Sequence, residues 1–284
     1  MAARPATLTA AIVPVLVGTA AASHDGYFRA LPFAAALLAA ILIQIGTNLA
    51  NDVFDYERGA DTIGRLGPPR VTQSGLVSPE RVRQAMYLAF VLAAVGGLYL
   101  ATVAGWPILV IGACAIVAGI TYTGGPWPLG YHGLGDVFVF IFFGLVAVVG
   151  SYYLQAEEVD LTAWAAALPV GLTVTAILVV NNLRDIESDR HTGKRTLAVR
   201  IGARLTRFQY ALLVLGAYAL VAAFASAGVL PWWTWLPWIT LPVALPLVSA
   251  VLMGAEGAKL NPILKRTAQL HLFFGALLAG GFML

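Results

Sequence analysis

Nine apolar runs, each near the length that crosses a bilayer, leave this chain few folds to choose from. A hydrocarbon core takes about 20 mostly apolar residues in a helix, roughly 17–25 in practice. Runs of that order stand at about 31–50, 85–104, 137–154, 161–180, 210–230, 235–254 and 268–284. Two shorter ones, about 8–22 and 106–121, complete the set once flanking residues extend them. The expected fold is all-α: a polytopic bundle of nine transmembrane helices around a central lipid-accessible cavity, one membrane domain over residues 1–284.

The first run needs a second argument, because Arg4, an apolar core and Ala20-Ala21-Ala22-Ser23 mimic a secretory signal peptide. A single positive charge, Pro14 in mid-run and the inverted loops that its removal would leave all favour a retained helix. Composition agrees with the bundle: 60% of residues are hydrophobic and 11% charged, against about a quarter charged in soluble domains. The net charge of +3 does not point to nucleic acid, since the bases sit in short loops rather than on one solvated face. Cys114 is the only cysteine and lies inside an apolar run, so no intrachain disulfide or cysteine metal cluster is expected.

Those short basic loops set the orientation, because Lys and Arg favour the cytoplasmic side. Threading nine helices from an inside N-terminus puts every Lys and Arg except Arg29 inside. The loop at 155–160, with Glu157, Glu158 and Asp160, falls outside. The expected location is the cell membrane, with the N-terminus cytoplasmic and the C-terminus outside. Pro231-Trp232-Trp233-Thr234-Trp235 then fits an aromatic belt at the outer interface.

Two polar clusters interrupt this pattern on the cytoplasmic side. The first, NLANDVFDYERGADTIGRLGPPRVTQSG, runs from Asn48 to Gly75. On a helix Asn48, Asp52 and Asp55 stand at i, i+4 and i+7 and share one face; Gly59 and Pro68-Pro69 then turn the helix into a loop. The second, NNLRDIESDRHTGKRTLAVRIG, runs from Asn181 to Gly202 and sets Asp185 and Asp189 at i, i+4, with Asn181 and Asn182 one turn earlier. Four helices separate the clusters, so helices two and six run the same way and both clusters reach one mouth, as in a parallel internal repeat. Ordinary positive-inside loops need bases but have no need of paired Asn-Asp faces.

Such parts suit magnesium and phosphate chemistry. Mg²⁺ takes one or two carboxylates, keeps waters and shares its remaining shell with substrate phosphates. Arg65, Arg70, Lys194 and Arg195 are placed to neutralise a diphosphate. With a lipid-filled bundle behind the mouth, the natural substrate is a polyprenyl diphosphate. A third segment, Tyr122 to Asp136, reads YTGGPWPLGYHGLGD. It is either a plain tight loop or a cap over a second substrate; no strand precedes it, so it is not a nucleotide loop.

At the two Asp clusters the sequence resembles the UbiA-type superfamily of intramembrane aromatic prenyltransferases. Together with YTGGPWPLGYHGLGD and the opening RPATLTAAIVPVLVGTA, it is similar to the 1,4-dihydroxy-2-naphthoate polyprenyltransferases of menaquinone synthesis. One departure is Asp136, where that branch often has Glu. The resemblance implies Mg²⁺-dependent transfer of a polyprenyl chain to 1,4-dihydroxy-2-naphthoate, with loss of carbon dioxide and diphosphate, yielding demethylmenaquinone. It implies a first metal site on Asn48, Asp52 and Asp55 and a second on Asp185 and Asp189, supported by Asn181 or Asn182, the four aspartates being the catalytic set. Arg65, Arg70, Lys194 and Arg195 would bind diphosphate. Tyr122 and Tyr131 offer aromatic faces to a developing cation, His132 or Asp136 would lie near the acceptor hydroxyls, and Asp61 is a further loop candidate. Another acceptor, such as 4-hydroxybenzoate, a chlorophyll precursor or a lipid glycerol phosphate, is the rival within the enzymes. A cation transporter is the rival outside them, although carboxylates at helix ends on one side do not outline a pathway through the membrane.

Overall fold

The computed structural model describes residues 5–60, 66–67 and 70–284, so Arg4, Asp61, Arg65 and Pro68-Pro69 lie outside the described residues. Among the described residues nine long helices follow one another without a strand. They are α1 (Pro5–His24), α2 (Ala30–Glu57), α3 (Pro79–Ala104), α4 (Trp106–Thr121), α5 (Gly135–Ala156), α6 (Leu161–His191), α7 (Leu197–Ser226), α8 (Trp232–Leu252) and α9 (Leu260–Phe282). Seven are long and apolar enough to cross a membrane, α4 is a shorter apolar helix, and α9 opens on the polar Asn261, Lys265 and Arg266. The chain is a multi-pass, all-α membrane protein.

The helices outrun the apolar stretches that announce them. Polar side chains leave the backbone ladder intact, so α2 continues through Asp52 and Asp55 to Glu57, and α6 continues through Asp185 and Asp189 to His191. What stops α2 is Gly59 at φ +65°, where Gly59 N–H donates to the Tyr56 carbonyl and Ala60 N–H to the Asp55 carbonyl (3.0 and 2.9 Å). Asp160 starts α6 by accepting the Ala163 N–H at 3.0 Å. Gly202, the last residue of the second polar cluster, is non-helical (φ 79°, ψ 166°) and sets the first turn of α7 at an angle to the rest.

Helix α1 sits at the centre, packed against α2, α5, α6 and α9. Lipid offers no hydrophobic drive between helices, so close backbone approach carries the packing. At Gly18 a side chain would run into the Val148 carbonyl of α5, and Gly144 of α5 meets the backbone of Gly171 in α6. Around that second crossing α5 widens into a π-helix over Phe140–Val146. The main core gathers residues of α1 and α5 through α9. A smaller core joins α2 and α3 and takes in Val71, which anchors the loop after the first polar cluster.

The two ends of the bundle differ as the loop charges predict. The end with the α1–α2 and α5–α6 turns holds Arg29, paired with Glu157 at 2.7 Å, while Tyr152 donates to Asp25 at 2.6 Å. At the other end α2 and α6 finish together: Lys194, just beyond α6, reaches Asp55 at 3.1 Å. The same-direction repeat of helices two and six therefore brings both polar clusters to one mouth.

Candidate active site

Asn48, Asp52 and Asp55 form a buried stripe on the last turns of α2, only 3%, 2% and 1% exposed. A carboxylate so far from water is tolerated only when its charge is met, and Asp55 meets three partners. Its Oδ2 accepts from Arg70 Nη2 at 2.8 Å and from Lys194 Nζ at 3.1 Å, and its Oδ1 accepts from the Tyr131 hydroxyl at 2.8 Å. Those partners come from three different segments, so one side chain draws the first cluster, the second cluster and the glycine-rich loop together. Asp52 accepts the backbone N–H groups of Val71 and Thr72 (3.3 and 3.0 Å), which folds the returning loop over the end of α2 and delivers Arg70. Asn48 donates to the Thr7 hydroxyl of α1 at 2.9 Å and accepts from Gln44 at 3.5 Å.

The second cluster solves the same problem locally. Arg184 holds Asp185 through two parallel bonds, Nε to Oδ1 at 2.7 Å and Nη2 to Oδ2 at 2.6 Å. Its guanidinium also donates to Asn181 at 2.9 Å and to Asn261 of α9 at 3.1 Å. Asp189 is half-buried one turn further on, and its carbonyl accepts the Lys194 N–H at 2.8 Å, which turns the chain so that the Lys194 side chain points back to Asp55.

The glycine-rich segment closes the mouth between the clusters. Gly130 N–H donates to the Tyr122 carbonyl, and the Tyr131 carbonyl accepts the Arg195 N–H, both at 2.9 Å. Glycines are required here because a side chain at Gly130 or Gly135 would strike the Tyr122 ring or hydroxyl. Tyr122 is half-buried with its hydroxyl turned inward, and loss of water there, with Asp136, Asp189 and Asp55 nearby, pushes that hydroxyl well above the usual phenol range. It stays a neutral donor among carboxylates. Asp136 is buried beside Gln209. His132 turns away: its Nδ1 lies 2.9 Å from the Pro128 carbonyl and its ring stacks on Trp127 at 4.2 Å.

Outside this closure lies a cleft of about 340 Å³ lined by Arg58, Tyr131, His132, Arg195 and Arg200 with Pro126 and Pro128. Tyr131 is the shared wall, its hydroxyl on Asp55 and its ring flanked by Lys194 (4.7 Å) and Arg58 (5.5 Å). Of the expected diphosphate cations, Arg70 and Lys194 therefore gather at Asp55, whereas Arg195 faces the outer cleft. Asp61 and Arg65 are outside the described residues. Three participants escaped the sequence reading. Arg184 stood in the quoted motif, where its place beside Asp185 was the available signal; Asn261 and Thr7 join from helices whose sequence carries no comparable pattern.

Two acidic helix ends with cations folded over them, at one end of a bundle of apolar helices, are what an enzyme that works on an anionic substrate in a membrane would need. The model of the UbiA prenyltransferase family matches residues 11–280, and the chain belongs to that family. It is 39% identical over 272 residues to the 1,4-dihydroxy-2-naphthoate octaprenyltransferase of Escherichia coli, covering 94% of this chain and 88% of that one. It is 40% identical over 281 residues to the protein of the same name from Mycobacterium tuberculosis, covering 98% and 94%. A solved UbiA homolog from Archaeoglobus fulgidus, bound to GPP and Mg²⁺, shares the fold with a TM-score of 0.64 at 13% identity, covering 97% of each chain.

Proposed function

We propose that this prenyltransferase moves a polyprenyl chain from polyprenyl diphosphate to 1,4-dihydroxy-2-naphthoate, the acceptor in its relatives' names, with residues 1–284 acting as one catalytic domain. The observation that carries the reading is the Lys194–Asp55 contact at 3.1 Å, which makes one site of two clusters far apart in sequence. In the reaction the allylic C–O bond to diphosphate breaks and a ring carbon of the acceptor bonds to the freed allylic carbon. The acceptor's carboxyl group leaves as carbon dioxide and its electron pair restores the ring. The immediate product is the quinol form of demethylmenaquinone.

The donor set fits Mg²⁺. Asn48, Asp52, Asp55, Asn181, Asp185 and Asp189 offer only carboxylate and amide oxygens, the ligands a hard cation takes. Mg²⁺ takes one or two carboxylates and shares the rest of its shell with water and substrate phosphates. When bound, Mg²⁺ supplies positive charge that stabilises the departing diphosphate. Arg70, which is buried, and Lys194 add positive charge beside it, both oriented by Asp55. Tyr131 holds Asp55 in place, with Tyr122 and Asp136 as candidates for the acceptor side, while His132 and Arg195 face the outer cleft. Arg65, from the same sequence cluster, is a further candidate for diphosphate, and Asp61 a further candidate for the acceptor or cap.

Loop charge supports a cell-membrane location with this mouth and the N-terminus on the cytoplasmic side. The test is turnover by the purified enzyme of 1,4-dihydroxy-2-naphthoate and 4-hydroxybenzoate against prenyl diphosphates of several lengths, with and without Mg²⁺. Mg²⁺-dependent release of diphosphate with the naphthoate alone is expected. Turnover of 4-hydroxybenzoate instead, or cation flux through proteoliposomes without turnover, would overturn the proposal.

A further inference from the structure

Asn261 belongs to neither aspartate cluster, yet it touches both. It opens α9, where its Oδ1 accepts from Arg184 Nη1 at 3.1 Å while its Nδ2 donates to the carbonyl of Leu66, in the loop after α2, at 2.9 Å. Adjacent helical residues do not normally face each other, so the two-bond pairing of Arg184 with Asp185 requires the Arg184 side chain to wrap along the helix surface. Asn181 and Asn261 are what hold it there. The Arg184 side chain is 1% exposed and that of Asp185 12%, so the guanidinium is a buried charge whose orientation decides how the carboxylate is presented.

We propose that Asn261 is a positioning residue for the diphosphate end of the site, acting through Arg184 on Asp185 and through Leu66 on the loop that carries Arg70. This rests on the prenyl diphosphate reading above and goes beyond it. A hydrogen bond to a charged group weights binding by about tenfold. Asn261→Ala removes both bonds; Asn261→Asp keeps an acceptor for Arg184 and loses the donor to Leu66. Turnover kinetics and the thermal shift produced by inorganic diphosphate with Mg²⁺, measured on the full-length protein in detergent, separate the roles.

For Asn261→Ala, the expected result is a rise of about tenfold in the KM for prenyl diphosphate and in the diphosphate concentration giving half the thermal shift. The acceptor KM stays within about twofold, and Asn261→Asp falls between Asn261→Ala and the parent. Lower thermal stability with both KM values unchanged would mean a purely structural contact and overturn the inference, as would an equal rise in the acceptor KM. A diphosphate shift in the parent that Asn261→Ala leaves intact would overturn this inference alone. The absence of any diphosphate shift in the parent would overturn both it and the function it rests on.

Discussion

The two aspartate clusters look alike in sequence and are neutralised in opposite ways. Asp55 is balanced by Arg70 from the returning loop, Lys194 from beyond α6 and Tyr131 from the glycine-rich loop. Asp185 is balanced by the residue beside it, Arg184, which is held in turn by Asn181 and Asn261. The first cluster is thus assembled by three segments that must meet, and the second is largely complete on one helix. On the function proposed above, this asymmetry would give an anchor on α6 and a junction at Asp55 where the cations exchange a carboxylate for a phosphate.

Substituting the carboxylates tests that asymmetry most severely. Asp55→Asn and Asp185→Asn are each expected to lower kcat/KM by about a thousandfold, since either removes charge from the reacting end. Their stabilities should differ. Asp55→Asn leaves the buried Arg70 and the half-buried Lys194 beside a neutral group and destabilises by about 3 kcal/mol, whereas Asp185→Asn leaves Arg184 with its two amide acceptors. Equal losses of Tm would break the comparison.

Chelation comes next in size. EDTA is expected to lower turnover by about a hundredfold or more and Mg²⁺ to restore it; activity indifferent to both would leave the oxygen donors without a cation to hold. Lys194→Ala, which cuts the only ion pair described between the clusters, should raise the KM for prenyl diphosphate about tenfold with the acceptor KM steady. A rise confined to the acceptor would reassign it. Tyr131→Phe removes one hydroxyl donor from Asp55 and is expected to cost about fivefold in kcat/KM. Arg195→Ala should cost less than about threefold, because that side chain lines the outer cleft with the exposed Arg58 and Arg200 and takes no place at Asp55.

Much of this was legible beforehand because membrane helices announce themselves. Length and apolarity placed nine helices, their order and the shared direction of α2 and α6, and helical spacing put Asn48, Asp52 and Asp55 on one face, all three of which are buried. Gly59 marked the end of α2 because its positive φ is cheap only without a side chain. The end of α6 and the start of α7 were less legible, since polar residues continue a helix as readily as apolar ones and hydropathy falls off before the backbone ladder does.

The sequence by itself therefore determined the class of protein, the helices and the shared face of Asn48, Asp52 and Asp55, because spacing along one helix is a local property. Only the tertiary structure decided which cation meets which carboxylate. Those pairings depend on where loops return and helices cross: Val71 and Thr72 settling on Asp52, Lys194 folding back from α6, Asn261 arriving from α9. Buried charge makes the outcome specific, since a desolvated carboxylate such as Asp55 must find its partners wherever in the chain they lie.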